Sequence, residues 1–327
     1  GAEFDDTVNA SDKPFSYQGV HVVPVTTFDA KGMAALSSSF FATLKAIAAK
    51  PDVIHYHAEG PCVMLRLAHW AGIRTVATIH GLDWQRAKWG RFASTYLKFG
   101  ERTAAKCADE VIVLSQNTYG RDTRFIPNGI ERKQLVTAQE ITSEYGLHKD
   151  DYILFLGRIV PEKGVHYLID AFGKLDTDKK LVIAGGSSDS TEYYEQVKQM
   201  AAQDSRIILT GFVQGRMLQE LYSNAYIYVL PSDLEGMPMS LLEAMSYGNC
   251  CLTSDIAECT EVVEDKAASF AHGSADALYK ALNELIRHPQ KVQKYKNEAA
   301  DFITGKYSWD SVVDQTLALY KGEKVGE

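Results

Sequence analysis

At 327 residues, with 46% apolar residues, 23% charged residues and a formal net charge of −8, the chain reads as a globular protein of one large domain or two ordinary ones. No run of about 18 apolar residues occurs, which excludes a membrane-spanning helix, and no dense basic stripe with interleaved aromatics runs through it, which excludes nucleic acid as a partner. The charge is uneven: residues 1–137 hold 16 Lys/Arg against 13 Asp/Glu and the remainder 18 against 29, so two domains with different partners are expected.

Gly1-Ala2-Glu3-Phe4 leads into a polar segment, with no basic-then-apolar leader. The first strand is expected over residues 19–25. A helix over 34–49 ends at Lys50-Pro51, because proline disfavours helix in the residue before it. Residues 53–57 are strand-like. Pro61 opens a helix through Ala71, with Gly72 as its stop. Another strand over 74–79 runs into His80-Gly81-Leu82-Asp83-Trp84, and a helix over 91–108 precedes a strand over 110–114. Strands alternating with helices predict a parallel, doubly wound sheet whose ligand groups sit at the C-terminal strand ends. That places His57, His80 and Ser115 on the binding edge, with His80 best placed to meet a polar ligand.

Two features fit a complete domain poorly. A parallel crossover needs about a dozen residues, yet only residues 115–123 separate two expected strands. No strand–glycine loop–helix unit precedes Gly19. Either the chain is truncated or segments, including one after Asn117, are absent from this numbering; the second is expected, because a sheet without its first strand leaves apolar edges uncovered. Between Trp84 and Lys106, six basic residues face one acid, Glu101, with Trp84, Trp89, Phe92, Tyr96 and Phe99 interleaved. This suits a membrane surface or an anionic, lipid-linked acceptor; the alternative is a helix with an aromatic core face and solvated lysines.

Ile126-Pro127-Asn128-Gly129 is a turn-rich exit from the first domain, and residues 133–150 are polar enough for a linker. A buried strand over 152–156 then meets Gly157-Arg158 and Pro161-Glu162-Lys163-Gly164, followed by a helix with Val165, Leu168, Ile169 and Phe172 on one face. Glycine, arginine and lysine between strand and helix form an anion cradle. Strands over 180–184 and 206–209 end in Gly185-Gly186 and Thr210-Gly211-Phe212-Val213, small residues where a ring or ribose can approach the backbone. Residues 226–230 form a buried strand closed by Pro231. It leads through Glu235-Gly236-Met237-Pro238-Met239-Ser240 into Leu241-Leu242-Glu243-Ala244-Met245, good helix formers ended by Gly248, with Glu235 and Glu243 on either side of the turn. A helix N-terminus receives an anion and the carboxylates accept hydroxyls. A strand over 250–253 and helices over 275–287, 290–302 and 308–321 complete the chain. Asp176-Thr177-Asp178 matches a metal–sugar signature but precedes a strand, on the wrong edge of the sheet, so no metal is expected. Cys62, Cys107, Cys250, Cys251 and Cys259, odd in number and without CxxC spacing, predict reduced thiols of a cytosolic protein.

The segments LFLGRIVPEKG, LVIAGG, ILTGFV and LPSDLEGMPMSLLEAMSYG, in that order and spacing, resemble the C-terminal domain of family 4 glycosyltransferases, retaining enzymes of GT-B fold. In the first half, VIHYH, TIHGLDWQRAKWG and FIPNGIE resemble the bacterial capsule and exopolysaccharide branch that includes rhamnosyltransferases. The resemblance covers nearly the whole chain. It implies two Rossmann-like domains facing across a cleft: an acceptor-side domain over 1–135, a nucleotide-sugar domain over 136–305, and a terminal helix over 306–327 crossing back to the first. It implies that Gly157, Arg158 and Lys163 hold the donor diphosphate and that Glu243 accepts from the ribose. Glu235 lies beside the transferred sugar, with the N–H groups of Met239, Ser240 and Leu241 near the sugar-diphosphate. Phe212 and Val213 contact the base, His80 reaches the donor sugar, and Asn128 sits near the interdomain cleft. Asp83, Trp84, Arg86, Lys88 and Trp89 form the acceptor and membrane side. The family's N-terminal glycine-rich loop is not intact here; Gly1-Ala2-Glu3-Phe4 is its remnant or a cloning scar.

The expected function is metal-independent, retaining transfer of a sugar from a UDP-sugar or dTDP-rhamnose to a saccharide or lipid-linked acceptor in cell-surface polysaccharide synthesis. The expected location is the cytoplasmic face of the inner membrane, peripherally, with no cofactor. The rivals are a nucleotide-sugar epimerase of the same fold and a transfer-inactive nucleotide-sugar-binding subunit.

Overall fold

The apolar runs of the second half fold into a six-stranded parallel sheet. Its strands are β7 (Tyr152–Leu156), β8 (Lys180–Ala184), β9 (Ile207–Gly211), β10 (Ile227–Leu230), β11 (Cys251–Ser254) and β12 (Ala268–Phe270), in the order β12-β11-β10-β7-β8-β9. The computed structural model describes residues 14–28, 33–81, 84, 90–115, 123–187 and 191–323. Contacts divide the chain into two units, residues 1–79 with 91–111, and residues 80–90 with 112–327.

Successive side chains of a strand point to opposite faces, and here each face has its own core. Tyr152, Leu154, Val182, Ala184, Tyr228 and Leu230 enter one core; Ile153, Phe155, Leu181, Ile183, Ile227 and Val229 enter the other. Helices α8 (Gly215–Asn224), α9 (Met239–Ser246) and α10 (Ala257–Val263) supply the first core, while α6 (Val165–Gly173), α7 (Thr191–Ala201) and α11 (Ala275–Arg287) supply the second. Because both faces are covered, these strands read as continuous apolar runs, not as alternating ones. Strand order reverses between β7 and β10, and ligands of such sheets bind outside the C-terminal ends at that reversal.

In the first unit, helix α1 (Met33–Ala49) precedes β3 (Val53–His57) and β4 (Arg74–Ile79), which pair in parallel from Val53↔Arg74 to His57↔Thr78. They belong to a sheet ordered β3-β4-β5-β6, with β5 at Glu110–Val113 and β6 at Thr123–Phe125. Helix α4 (Arg91–Cys107) buries Leu97, Gly100, Thr103 and Ala104 and packs against α2 (Glu59–Cys62). Of its aromatic residues, Phe92 is 88% exposed and Phe99 is exposed as well, while Tyr96 is half-buried and its OH donates to Gly60 O at 3.1 Å.

Several expectations need correction. The strand expected over 19–25 is one arm of an antiparallel hairpin, β1 (Phe15–Tyr17) with β2 (Val20–Val22), outside both larger sheets. Gln18 and Gly19 form its two-residue turn at φ 49° and 82°, the conformation that matches the strands' twist. The helix expected from Pro61 to Ala71 is two pieces, α2 and α3 (Leu65–Trp70); the turns between them tighten to i→i−3 bonds, Val63 to Gly60 and Met64 to Pro61. Pro61 lies inside the first turn of α2, where its missing N–H costs nothing. The linker over 133–150 contains α5 (Glu140–Tyr145), closed by Gly146 in the left-handed region, whose N–H donates to Thr142 O while Leu147 N–H donates to Ile141 O. The C-terminal helices are α12 (Pro289–Lys306) and α13 (Trp309–Lys321). Among the described residues no helix is long and apolar enough to cross a membrane.

All five cysteines are free, and burial pushes the thiols of Cys62, Cys250 and Cys259 up to about 12.

Helix α5 depends on one distant carboxylate. Glu220 of α8 is fully buried; its Oε2 accepts from the N–H of Gln139 at 2.8 Å and of Ile141 at 3.2 Å, and its Oε1 accepts from Arg216 at 2.8 Å. Burial acts to raise the Glu220 carboxyl, but Arg216 and the two amides outweigh it and hold it below the ordinary glutamate value. The charged form is therefore favoured by folding: its contribution is present above the unfolded value, about pH 4.3, and is lost as pH falls through the lower folded value. Urea midpoints measured against pH should show wild type losing its advantage over Glu220→Gln in that window.

Candidate functional site

Two connections leave the sheet on either side of its reversal, one after β7 and one after β10. After β7, Gly157 N–H donates to Ala184 O and Ile159 N–H to Gly186 O, which carries the strand's pairing past its end and leaves Arg158 exposed between them. A 3-10 turn, Pro161–Lys163, follows, and Gly164 caps α6 at φ 65°. A Cβ on Gly164 would lie 2.1 Å from the Pro231 carbonyl oxygen, so only glycine lets the first connection press against the second.

The second connection is clamped to the first. Asp233 N–H donates to Glu162 O at 2.9 Å, and Tyr167 OH donates to Asp233 Oδ2 at 3.1 Å. Ser254 Oγ holds Ser232 O at 2.5 Å, and Ser232 Oγ donates to Glu235 Oε1 at 2.7 Å. The same Glu235 oxygen meets Lys163 Nζ at 2.5 Å, with the two side chains only 7% and 14% exposed. Gly236 lets the turn approach His80: a Cβ there would sit 1.8 Å from the His80 carbonyl oxygen. Gly81, Arg158, Glu162, Lys163, Glu235 and Gly236 line one hollow.

Helix α9 starts beside this hollow. Its first turn uses the N–H of Met239, to Met237 O, and of Leu241, to Pro238 O. Of the three amides expected to meet a diphosphate, the described bonds leave only that of Ser240 without an acceptor. Two buried tyrosines brace the helix: Tyr228 OH donates to Ser240 Oγ at 2.8 Å, and Tyr222 OH donates to Glu243 Oε2 at 3.2 Å. Burial drives both phenols well above their ordinary range, so both stay protonated donors. Asn128 joins from the side, its N–H and its Nδ2 reaching Met237 Sδ and Met239 Sδ at 3.1 and 3.2 Å.

The structure thus brings His80, Asn128, Gly157, Arg158, Lys163, Glu235, Ser240 and Glu243 to the C-terminal ends of β7 and β10 or their near surroundings. Phe212 and Val213 follow β9, two strands from β7, with the Phe212 ring 77% exposed. Ser115 is not available: it is buried, and its Oγ donates to Glu261 at 2.8 Å. His57 ends β3 in the first unit, stacked on His55. Trp84 is half-buried, while Asp83, Arg86, Lys88 and Trp89 lie outside the described residues. Ser232, Tyr222, Tyr228 and the Tyr167–Asp233 bond were not legible in advance, since no local spacing marks a hydroxyl as the brace of a distant carboxylate. Among the described residues no group of three His, Cys, Asp or Glu side chains could hold a metal ion.

The profile of the family described as "Glycosyl transferases group 1" matches residues 138–302, just over half the chain, and that of "Glycosyltransferase Family 4" matches residues 6–134. The chain belongs to the group 1 glycosyl transferases. Among curated members, alpha-maltose-1-phosphate synthase of Mycobacterium tuberculosis is 28% identical over 311 residues, covering 84% of this chain and 80% of its own length. Alpha-D-kanosaminyltransferase of Streptomyces kanamyceticus is 24% identical, covering 82% and 76%. The crystal structure of Anabaena Alr3699/HepE in complex with UDP and glucose superimposes with a TM-score of 0.78 at 18% identity, covering 92% of this chain and 86% of that one. The fold of this glycosyl transferase is therefore GT-B, an α/β architecture of parallel sheets.

In this glycosyl transferase the Lys163–Glu235 pair is buried enough that removing one partner strands the other, at about 3–5 kcal/mol, whereas replacing both by apolar residues is close to neutral. A double-mutant cycle on unfolding free energy should find Lys163→Met strongly destabilising and Lys163→Met/Glu235→Leu near wild type. Additive losses would show that the pair is not coupled.

Proposed function

We propose that the crevice between β7 and β10 binds a nucleotide-sugar and that the enzyme transfers its sugar, with retention and without a metal, to a saccharide or lipid-linked acceptor in cell-surface polysaccharide synthesis. UDP-sugars and dTDP-rhamnose are the donors proposed. In this reading residues 1–135 form the acceptor side, 136–305 the donor side and 306–327 the terminal helix. The enzyme works at the cytoplasmic membrane face, with Asp83, Trp84, Arg86, Lys88 and Trp89 toward the acceptor.

The observation that carries the reading is the convergence of Arg158, Lys163 and the α9 start on the reversal point of a parallel sheet. Cleavage of the anomeric carbon–phosphate oxygen bond builds positive charge on carbon and negative charge on the departing diphosphate. Arg158 and Lys163 stabilise that negative charge, joined by the N–H of Ser240 at a helix N-terminus. The acceptor oxygen bonds to the anomeric carbon on the face the diphosphate leaves, and its proton passes to a donor phosphate oxygen. Glu235, held by Ser232 and Lys163, orients the sugar and offsets the developing positive charge; no covalent bond to it is required. Glu243 accepts from the ribose hydroxyls, fixed by Tyr222. His80 reaches the sugar, Phe212 and Val213 meet the base, and Asn128 supports the α9 start through Met237 and Met239.

Arg158 has no protein partner in the described bonds and is exposed, so Arg158→Ala should fold normally. Loss of one such charge-stabilising group costs about 2.7–4 kcal/mol of barrier, or roughly 10²–10³-fold in kcat. Turnover of a donor with unchanged kcat in this variant would refute the reading. A thermal-shift panel of UDP-, GDP- and dTDP-sugars identifies the donor, because the nucleotide that binds the folded state raises its midpoint by mass action. A midpoint unmoved by every nucleotide would sink the proposal.

A further inference from the structure

A second cavity lies at the opposite edge of the same sheet. Lys149 and Asp150 precede β7, Ser223 precedes β10 and Asn249 precedes β11, so this groove opens at the N-terminal strand ends, away from the crevice described above. Its volume is about 800 Å³, within the range of sites that enclose small ligands. The segment after Ile130 walls one side and is pinned at both ends: Lys133 N–H donates to Ser246 O, and Val136 N–H donates to Ser223 Oγ.

The lining is basic within an acidic half of the chain. Arg132, Lys133, Lys149 and Lys296 face a single acid, Asp150. Lys296 neutralises that acid at 2.5 Å and is tied to Ala225 O at 2.8 Å, while Arg132 pairs with Asp301. Lys133 and Lys149 are exposed and have no side-chain partner in the described bonds. Asp150 is held at φ 64°, with its carbonyl bound by Lys179; a non-glycine residue kept in the left-handed region is a constraint that surrounding contacts must maintain. Gln134, Gln293 and Asn297 add amide donors and acceptors to the lining. Tyr247, half-buried, stacks one ring face on Tyr222 at 5.2 Å between centroids, and an aromatic side chain in such a wall combines an apolar body with a polar tip.

Two unspent ammonium groups recognise an anion, and amides beside an aromatic ring recognise hydroxyls on a carbon frame. We propose that this groove binds a phosphorylated saccharide at a site separate from the crevice between β7 and β10. The site does not depend on the transfer reaction: it rests on residues that take no part in it.

Calorimetry with the full chain tests it, using α-D-glucose 1-phosphate, inorganic phosphate and glucose as probes. Glucose 1-phosphate should bind saturably and more tightly than phosphate or glucose alone. Lys133→Ser/Lys149→Ser should weaken that binding at least about tenfold, about 1.4 kcal/mol, with an unchanged thermal midpoint. Arg158→Ala should leave it intact. No saturable binding, binding unchanged in the double variant, equal binding of phosphate or glucose alone, or loss of binding in Arg158→Ala would each overturn the proposal. The last outcome would assign the ligand to the crevice.

Discussion

The buried ion pair between Lys163 and Glu235 ties together the two connections that leave the sheet at its reversal point. Each charge alone would be costly to bury; together, with Ser232 as a third partner, they are held in one place. Everything nearby is arranged to keep those connections in contact. Gly164 yields space to Pro231, Asp233 bonds Glu162, and Gly236 yields space to the His80 carbonyl. The crevice is therefore held in shape by these contacts and lined by charge.

Helix α9 is the second fixed point. It rests on β10 through Tyr228 and on α8 through Tyr222, and both phenols remain donors because burial suppresses their ionisation. Ser240 and Glu243 are thus braced by hydroxyls of neighbouring elements as well as by their own helix. The division of labour is clear in chemical terms. Apolar strands define where the crevice opens, glycines allow the backbones to close in, and buried hydroxyls orient the polar groups that remain.

Much of this was legible in the sequence where one residue's environment is set by its neighbours in the chain. The strands β3, β4, β7 and β8 have the expected bounds; for β7 and β8 the reason is that a strand buried on both faces reads as a near-continuous apolar run. Arg158, Lys163, Glu235 and Glu243 stood out because strand ends and helix starts frame them. What escaped was nonlocal. Helix α5 has six residues and buries Ile141 alone; it exists because Glu220, about 80 residues later, satisfies two of the amides at its start. Strand β12 has three residues and is defined by pairing with β11. The β1–β2 hairpin turns on Gln18-Gly19, a dipeptide without the usual Asn or Asp signal.

The same ion pair has a consequence for how the chain comes to be folded. Lys163 and Glu235 are 72 residues apart, and β7 acquires β8 as a neighbour long before β10 exists to lie on its other side. One half of the sheet, β7-β8-β9, can form from local contacts, whereas the crevice requires closure of a long loop whose entropy must be met before the pair rewards it. A chain emerging from the ribosome in sequence order would expose Arg158 and Lys163 as solvated cations until the β10 connection arrives. The crevice thus cannot be completed before the chain through Glu235 is in place.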